Sequence, residues 1–139
     1  MKTIIAVVFL LFTGAAQAQD HATLQQQKTC ADQAKKAFES DHKKNNASTT
    51  QKYISHYDSK QNTCYLGVRT TIIMNDYTTS IVMTVRDAFE GREYAGYTMF
   101  GGERRPTACF TRPRGQKPIA CTDQNEFEEA IDKHFGIAF

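Results

Sequence analysis

Residues 63–74 read TCYLGVRTTIIM, and apolar side chains occupy alternate positions along most of this stretch. The apolar positions of one parity are Cys64, Leu66, Val68, Ile72 and Met74, with Thr70 as the one interruption. A two-residue period is typical of a β-strand with one face buried. The pair Asn75-Asp76 follows and favours a turn, so we predict that this strand begins an antiparallel hairpin.

The pattern continues after this turn. Residues 79–89 place apolar side chains at Ile81, Met83, Val85 and Phe89, which predicts a second strand. Glu90-Gly91 is a second turn, because glycine adopts positive φ at little cost. We predict a third strand over 94–100 and a short fourth strand near 107–111, and we expect residues 104–118 to be largely irregular because all three prolines lie there.

Helices are predicted on both sides of these strands. From Ala22 to about Lys44 the spacing of Leu24, Ala31, Ala34 and Phe38 follows one helical face. Near the end of the chain, Asp123 and Glu126 form a capping-box-like pair and Gly136 marks the helix end, with apolar residues between them at helical spacing. The expected fold is α+β: an N-terminal helix, a three- to four-stranded antiparallel meander and a C-terminal helix, with the helices covering one face of the sheet.

The start of the chain resembles a secretion signal. Lys2 precedes the apolar run 4–12, and Ala16-Gln17-Ala18 offers small residues for a signal peptidase. We therefore expect residues 1–18 to be a cleaved signal peptide and residues 19–139 to be one domain in the periplasm or outside the cell. A cleaved signal peptide excludes a cytosolic enzyme. A membrane-spanning protein is also excluded, since no other apolar stretch is long enough to cross a bilayer. A net charge of +2 also argues against a nucleic-acid binder.

The four cysteines are expected to stabilise this domain. From residue 19 onward, Leu, Ile, Val and Phe make up only 19 of 121 residues, so the core is small for the length of the chain. In an oxidising compartment an even number of cysteines predicts two disulfides, and four cysteines allow three connectivities. We favour Cys30–Cys64 with Cys109–Cys121, because Cys30 lies on the apolar side of its helix and Cys64 on the apolar side of its strand.

A basic segment is the strongest candidate for a binding site. Five cations occur within fourteen residues that contain no acid: Arg104, Arg105, Arg112, Arg114 and Lys117. Arginine binds phosphate and carboxylate groups in a bidentate manner. We expect this loop, bounded by a disulfide, to contact an anionic partner such as an envelope component or an acidic protein. The alternative is that the acids of the C-terminal helix, among them Asp123, Glu126 and Glu128, neutralise it within the molecule.

A second hypothesis is catalytic. His56 and Asp58 are two residues apart on an extended segment, so they share a face and a carboxylate there could orient an imidazole. No nucleophile motif accompanies them. Asp87, Glu90 and Glu93 flank the second turn without the spacing of a calcium loop, and we predict no metal site and no cofactor.

Two segments resemble parts of short, uncharacterised secreted or lipoprotein-like bacterial proteins. They are residues 53–64, YISHYDSKQNTC, and residues 87–95, DAFEGREYA. Those proteins pair a His-Tyr-Asn/Asp, Lys and Cys stretch with a later Asp, Glu-Gly and aromatic stretch. The resemblance implies a bacterial envelope or secreted origin and assigns no functional residue.

The sequence thus predicts a small, disulfide-bonded, secreted or periplasmic binding protein that is not an enzyme. The first alternative is a small envelope hydrolase or enzyme inhibitor that uses the His56 and Asp58 region. A second alternative, a structural envelope component, would need an apolar exposed sheet face, for which Val82 and Ala88 are the candidates.

Overall fold

A computed structural model describes residues 22–41 and 48–139. The expected signal peptide, residues 1–18, and the last residues of the predicted first helix lie outside the described residues. In chain order the elements are α1 (Leu24–Asp41), β1 (Thr49–Asp58), β2 (Thr63–Ile73), β3 (Thr79–Asp87), β4 (Glu93–Met99), β5 (Ala108–Thr111), β6 (Ile119–Ala120) and α2 (Gln124–Phe135). The fold is therefore α+β, as predicted.

The strands form one antiparallel meander in which spatial order follows chain order from β1 to β6. The predicted count of three or four strands was wrong, since the sheet has six. β1 was missed because its sequence, TTQKYISHYD, is mostly polar and has no fully buried position. β6 has only two residues and begins just after the segment 104–118, which is irregular apart from β5, the short strand predicted near 107–111.

Strand register decides which side chains face each other. Leu66 of β2 pairs with Arg86 of β3, and the next residue, Gly67, pairs with Val85. Because side chains alternate between faces, the apolar positions of β2 and those of β3 lie on opposite faces of the sheet. The sheet therefore presents an apolar surface on both sides.

Each helix covers one of these surfaces, so the prediction that both helices cover the same face was wrong. α1 packs with the smaller cluster, whose buried members are Cys30, Ala34, Cys64, Leu66, Val68 and Ala88. α2 packs with the larger cluster: Tyr65, Met83, Val85, Tyr94, Ala95, Tyr97, Phe127, Ile131, Phe135 and Ile137. β2 is covered on both faces, which explains why six consecutive residues, 63–68, are buried.

Both predicted disulfides are confirmed. Cys30–Cys64 joins α1 to β2 with 5.4 Å between the Cα atoms, and Cys109–Cys121 joins the two arms of the β5–β6 hairpin with 5.1 Å. The first bridge lies in the core on the α1 side, because both of its cysteines are 2% exposed. Helix α1 is thus covalently attached to the sheet.

The ends of α2 agree with the sequence signals, with one difference. The side chain of Asp123 accepts the Glu126 N–H at 3.0 Å, and Gly136 ends the helix at φ 62°. Glu126 accepts the backbone N–H of Thr122 at 2.7 Å instead of completing the box on Asp123. In the described ranges, no helix is both long and apolar enough to cross a membrane.

Candidate functional site

The five predicted cations do not form one loop. Arg104 and Arg105 lie in the β4–β5 turn, whereas Arg112, Arg114 and Lys117 lie in residues 112–118, which we call the hairpin loop. β5 separates the two groups by its own length, about 13 Å for four extended residues. The two groups of cations therefore lie at opposite ends of the sheet, because one group precedes β5 and the other follows it.

The hairpin loop is positioned by backbone contacts and by the disulfide. Arg112 N–H donates to the carbonyl of Tyr94 at 2.6 Å, which continues the β4–β5 pairing into the loop. Gln116 N–H donates to Pro113 O at 2.9 Å, and Gly115 adopts φ 76°, so the loop closes in a tight turn. The Cys109–Cys121 bridge joins the strands just outside it. None of these contacts uses a cationic side chain.

Two of the three cations have contacts that orient them. Arg114 Nη1 donates to Gln61 O at 3.0 Å and lies 3.4 Å from Thr63 Oγ1, which connects the hairpin loop to the β1–β2 turn. The guanidinium carbon of Arg112 lies 6.0 Å from the centroid of the Phe110 ring, at the outer limit of a cation–π contact. Lys117 is exposed. The contact residues Gln61 and Thr63 were not identified from the sequence, because only the packing of the sheet brings them to the loop.

The acids of α2 do not neutralise the hairpin loop at contact distance. Glu128 pairs with Arg69 at 3.4 Å, and Asp123 and Glu126 bind backbone amides at the start of α2. Among the described residues, the ion pairs are Lys35–Glu39, Arg69–Glu128, Arg86–Asp41 and Arg92–Glu90, and none includes a predicted site cation.

One acid does lie close to this surface. The side chains of Glu93 and Phe110 both cover Gly96, so Glu93 is near the ring that Arg112 contacts. Glu93 therefore lies on the Arg112 side of the hairpin loop.

Beneath the hairpin loop lies a buried phenol. Burial raises the pKa of Tyr65 to about 12, and the negative charge of Asp58 and the neighbouring Tyr94 act in the same direction. The positive charge of Arg114 acts in the opposite direction. Tyr65 Oη donates to Gln61 Oε1 at 3.3 Å, so the phenol, the β1–β2 turn and Arg114 form one contiguous polar group.

Comparison with known proteins gives no family for this chain. No protein-family model, no curated protein and no solved structure matches it. The resemblance of residues 53–64 and 87–95 to short secreted bacterial proteins therefore stays a prediction. Functional hypotheses depend on the side chains and their geometry.

His56 and Asp58 lie on the same face of β1, as expected from their spacing. Asp58 Oδ1 accepts the N–H groups of Lys60 at 2.9 Å and Gln61 at 3.1 Å, so this carboxylate closes the β1–β2 turn. The His56 ring lies against Gly136 at the end of α2. The structure describes both His56 and Asp58, and their side chains form no hydrogen bond with each other. The catalytic hypothesis stays a prediction.

The acids around the β3–β4 turn also have structural contacts. Asp87 Oδ1 accepts the N–H groups of Phe89 at 2.7 Å and Glu90 at 2.9 Å, which closes the turn. Glu90 lies 3.8 Å from Arg92. Within the described part of the chain, no three His, Cys, Asp or Glu side chains are close enough together to hold a metal ion.

Val82 and Ala88, the candidates for an apolar exposed sheet face, differ in burial. Ala88 is 5% exposed and belongs to the α1 cluster, whereas Val82 is half-buried. Ala88 therefore contributes to the core and adds no apolar surface to the exterior.

Proposed function

We propose that the protein is a small secreted or periplasmic binding protein that contacts an anionic surface of the cell envelope through the hairpin loop. Arg112, Arg114 and Lys117 form the contact. Arg104 and Arg105, at the other end of β5, form a separate cationic group that does not contribute to the same contact. The observation that carries the proposal is the set of three cations on a disulfide-bonded hairpin, free of ion pairs among the described residues.

The rigidity of the hairpin supports this function. A binding loop that is already ordered loses less conformational entropy when its partner binds. The bridge, the Arg112–Tyr94 backbone hydrogen bond and the Arg114–Gln61 hydrogen bond hold the loop before any partner arrives. Arg114 uses Nη1 to orient the loop, and the side chains of Arg112 and Lys117 make no hydrogen bond to any described residue.

The two disulfides support the proposed location. Disulfides persist in oxidising compartments and are rare in the cytosol. A protein in such a compartment has access to the anionic lipid headgroups of the envelope. Each Lys or Arg near an anionic bilayer contributes about 1 kcal/mol to binding.

The test is co-sedimentation of the purified protein with phosphatidylcholine vesicles that either contain or lack phosphatidylglycerol. We expect binding that requires phosphatidylglycerol and weakens as salt is added. The double variant Arg112→Gln/Lys117→Gln removes two cations without touching the Arg114 contact. At about 1 kcal/mol per cation, its vesicle affinity should fall about 30-fold.

Lys35→Gln is the matched control, because Lys35 is an exposed cation on α1 that pairs with Glu39 at 3.8 Å. A heparin column provides a second polyanion with a different geometry. The proposal is wrong if Arg112→Gln/Lys117→Gln leaves both vesicle and heparin binding unchanged, or if Lys35→Gln weakens them equally.

A further inference from the structure

A cleft of about 640 Å³ lies between the first half of α1, the β1–β2 turn and the β3–β4 turn. Its volume is within the range of small-molecule sites, about 300 to 1,000 Å³. The Cys30–Cys64 bridge lies along its wall, so the helix and the strand that bound it are covalently joined. No residue of the hairpin loop lines it.

The ionisable side chains of the cleft are of one sign. Asp87 and Glu90 line it, and no Lys or Arg does. Among the described cations near these acids, Arg92 pairs with Glu90 at 3.8 Å, and both side chains are more than 60% exposed, so solvent screens this pair strongly. Lys36 and Arg86 line a neighbouring pocket that shares Asp87 and Glu90, and Arg86 pairs there with Asp41. The positive end of α1 also borders the cleft, but there the Thr23 hydroxyl already accepts the Gln26 N–H at 3.2 Å. The cleft therefore favours a positively charged ligand.

Asp87 lines this cleft and has an acceptor that no described residue uses. The residue is only 8% exposed. Its Oδ1 atom accepts two backbone N–H groups, whereas Oδ2 accepts no hydrogen bond from any described residue. Oδ2 is not fully buried, so a ligand can reach it, and a charged donor is favoured because charge-assisted hydrogen bonds are about twice as strong as neutral ones.

Aromatic side chains supply an apolar surface beside these acids. Phe89 is 58% exposed and lines the cleft together with Tyr57. The Tyr57 hydroxyl donates to Asn62 Oδ1 at 2.5 Å and accepts from Gln26 Nε2 at 3.1 Å, which fixes the ring between helix and turn. Aromatic faces attract cations and pack against apolar groups.

We propose that this cleft binds a small organic cation, an ammonium group attached to an apolar or aromatic body. Asp87 and Glu90 bind the ammonium group, and Phe89 and Tyr57 contact the body. The site requires a ligand of the opposite charge to the one proposed for the hairpin loop, so the two proposals stand independently.

The first experiment compares phenethylamine with 2-phenylethanol, a neutral molecule of nearly the same shape. Proton–nitrogen NMR spectra of the purified protein follow the amides of Phe89 and Glu90, which donate to Asp87. We expect saturable shifts with the amine and an affinity about 10-fold above that of the alcohol, since one charge-assisted contact distinguishes the two probes.

Variants then assign the contact to the acids. Asp87→Asn keeps an oxygen for the two backbone amides but removes the charge, so phenethylamine should bind about 10-fold more weakly while 2-phenylethanol is unaffected. Glu90→Gln is a second variant in an exposed turn, in case Asp87→Asn fails to fold. Glu129→Gln, at an exposed position on α2, is the control.

Three results would overturn the proposal: no saturable shift with phenethylamine, equal affinity for the two probes, or equal weakening by Glu129→Gln and by the variants of the cleft. Loss of amine binding in Arg112→Gln/Lys117→Gln would also contradict it, because those residues do not line the cleft.

Discussion

Helix α1 should depend on its disulfide more than α2 depends on any single contact. α1 has 18 residues but only two buried ones, Cys30 and Ala34, whereas α2 buries Phe127, Ile131 and Phe135. The other contacts of α1 are made by half-buried or exposed side chains, among them Phe38 stacked on Tyr53 at 4.6 Å and Gln33 donating to the Ala88 carbonyl at 3.0 Å. We therefore predict that the double variant Cys30→Ala/Cys64→Ala releases α1 from the sheet.

The magnitude follows from the length of chain that the bridge closes. Cys30 and Cys64 are 34 residues apart, and the chain-entropy model gives about 4 kcal/mol for a loop of that length. The Cys109–Cys121 bridge closes 12 residues and should contribute about 3 kcal/mol. The free energy of unfolding of a domain is usually about 5 to 15 kcal/mol, so the loss of either disulfide removes a large part of it.

Two measurements test this prediction. Urea unfolding followed by far-UV circular dichroism gives the free energy of unfolding, and amide hydrogen exchange shows which helix opens first. We expect α1 to lose protection first in Cys30→Ala/Cys64→Ala, while Cys109→Ala/Cys121→Ala leaves α1 protected. The reasoning is refuted if the first variant loses less than about 1 kcal/mol, or if its α1 amides stay as protected as those of α2.

Two further predictions concern β2. A Cβ atom at Gly67 would lie 2.7 Å from Ile137 Cγ2 and 3.1 Å from Ile54 Cγ2. Because there is no room for it, Gly67→Ala should lower the free energy of unfolding by about 1 to 3 kcal/mol. Urea titration measures this change, and an unchanged unfolding midpoint would contradict the prediction. The pKa of Tyr65 is about 12 in the folded protein and about 10 when unfolded, so the unfolded chain loses the proton first as pH rises. Stability is unaffected by this group below about pH 10 and falls between pH 10 and 12, by about 2 to 3 kcal/mol in total. Tyr65→Phe should not show this loss of stability between pH 10 and 12. If the stability of the two proteins falls in parallel over this range, the Tyr65 phenol is not responsible for the loss.

Local signals in the sequence predicted most of the elements. The strands β2 and β3 follow from the alternation in residues 63–74 and 79–89, β4 matches the strand predicted over 94–100, and α2 follows from Asp123 and Gly136. These predictions succeed because hydrophobic period and capping depend on neighbouring residues. β1 could not be found in this way, since its stability comes from pairing with β2 and its own side chains are mostly polar.

The candidate sites also combine features set by neighbouring residues with features set by the packing of distant segments. Arg112, Arg114 and Lys117 were identified from the absence of nearby acids in the chain, but their separation from Arg104 and Arg105 depends on β5. Nothing local indicated the cleft beside α1, because Asp87 and Tyr57 are 30 residues apart and meet only when helix and turns pack.

The amino-acid sequence alone determined the α+β class, the two cysteine pairs and the positively charged segment, since these follow from composition and from periodicity within a few residues. Only the tertiary structure decided which face each helix covers. The register that pairs Leu66 with Arg86 and Gly67 with Val85 places the apolar positions of β2 and β3 on opposite faces. A shift of one residue between two strands would reverse that assignment without changing either strand, so no property of the strands taken singly could have revealed it.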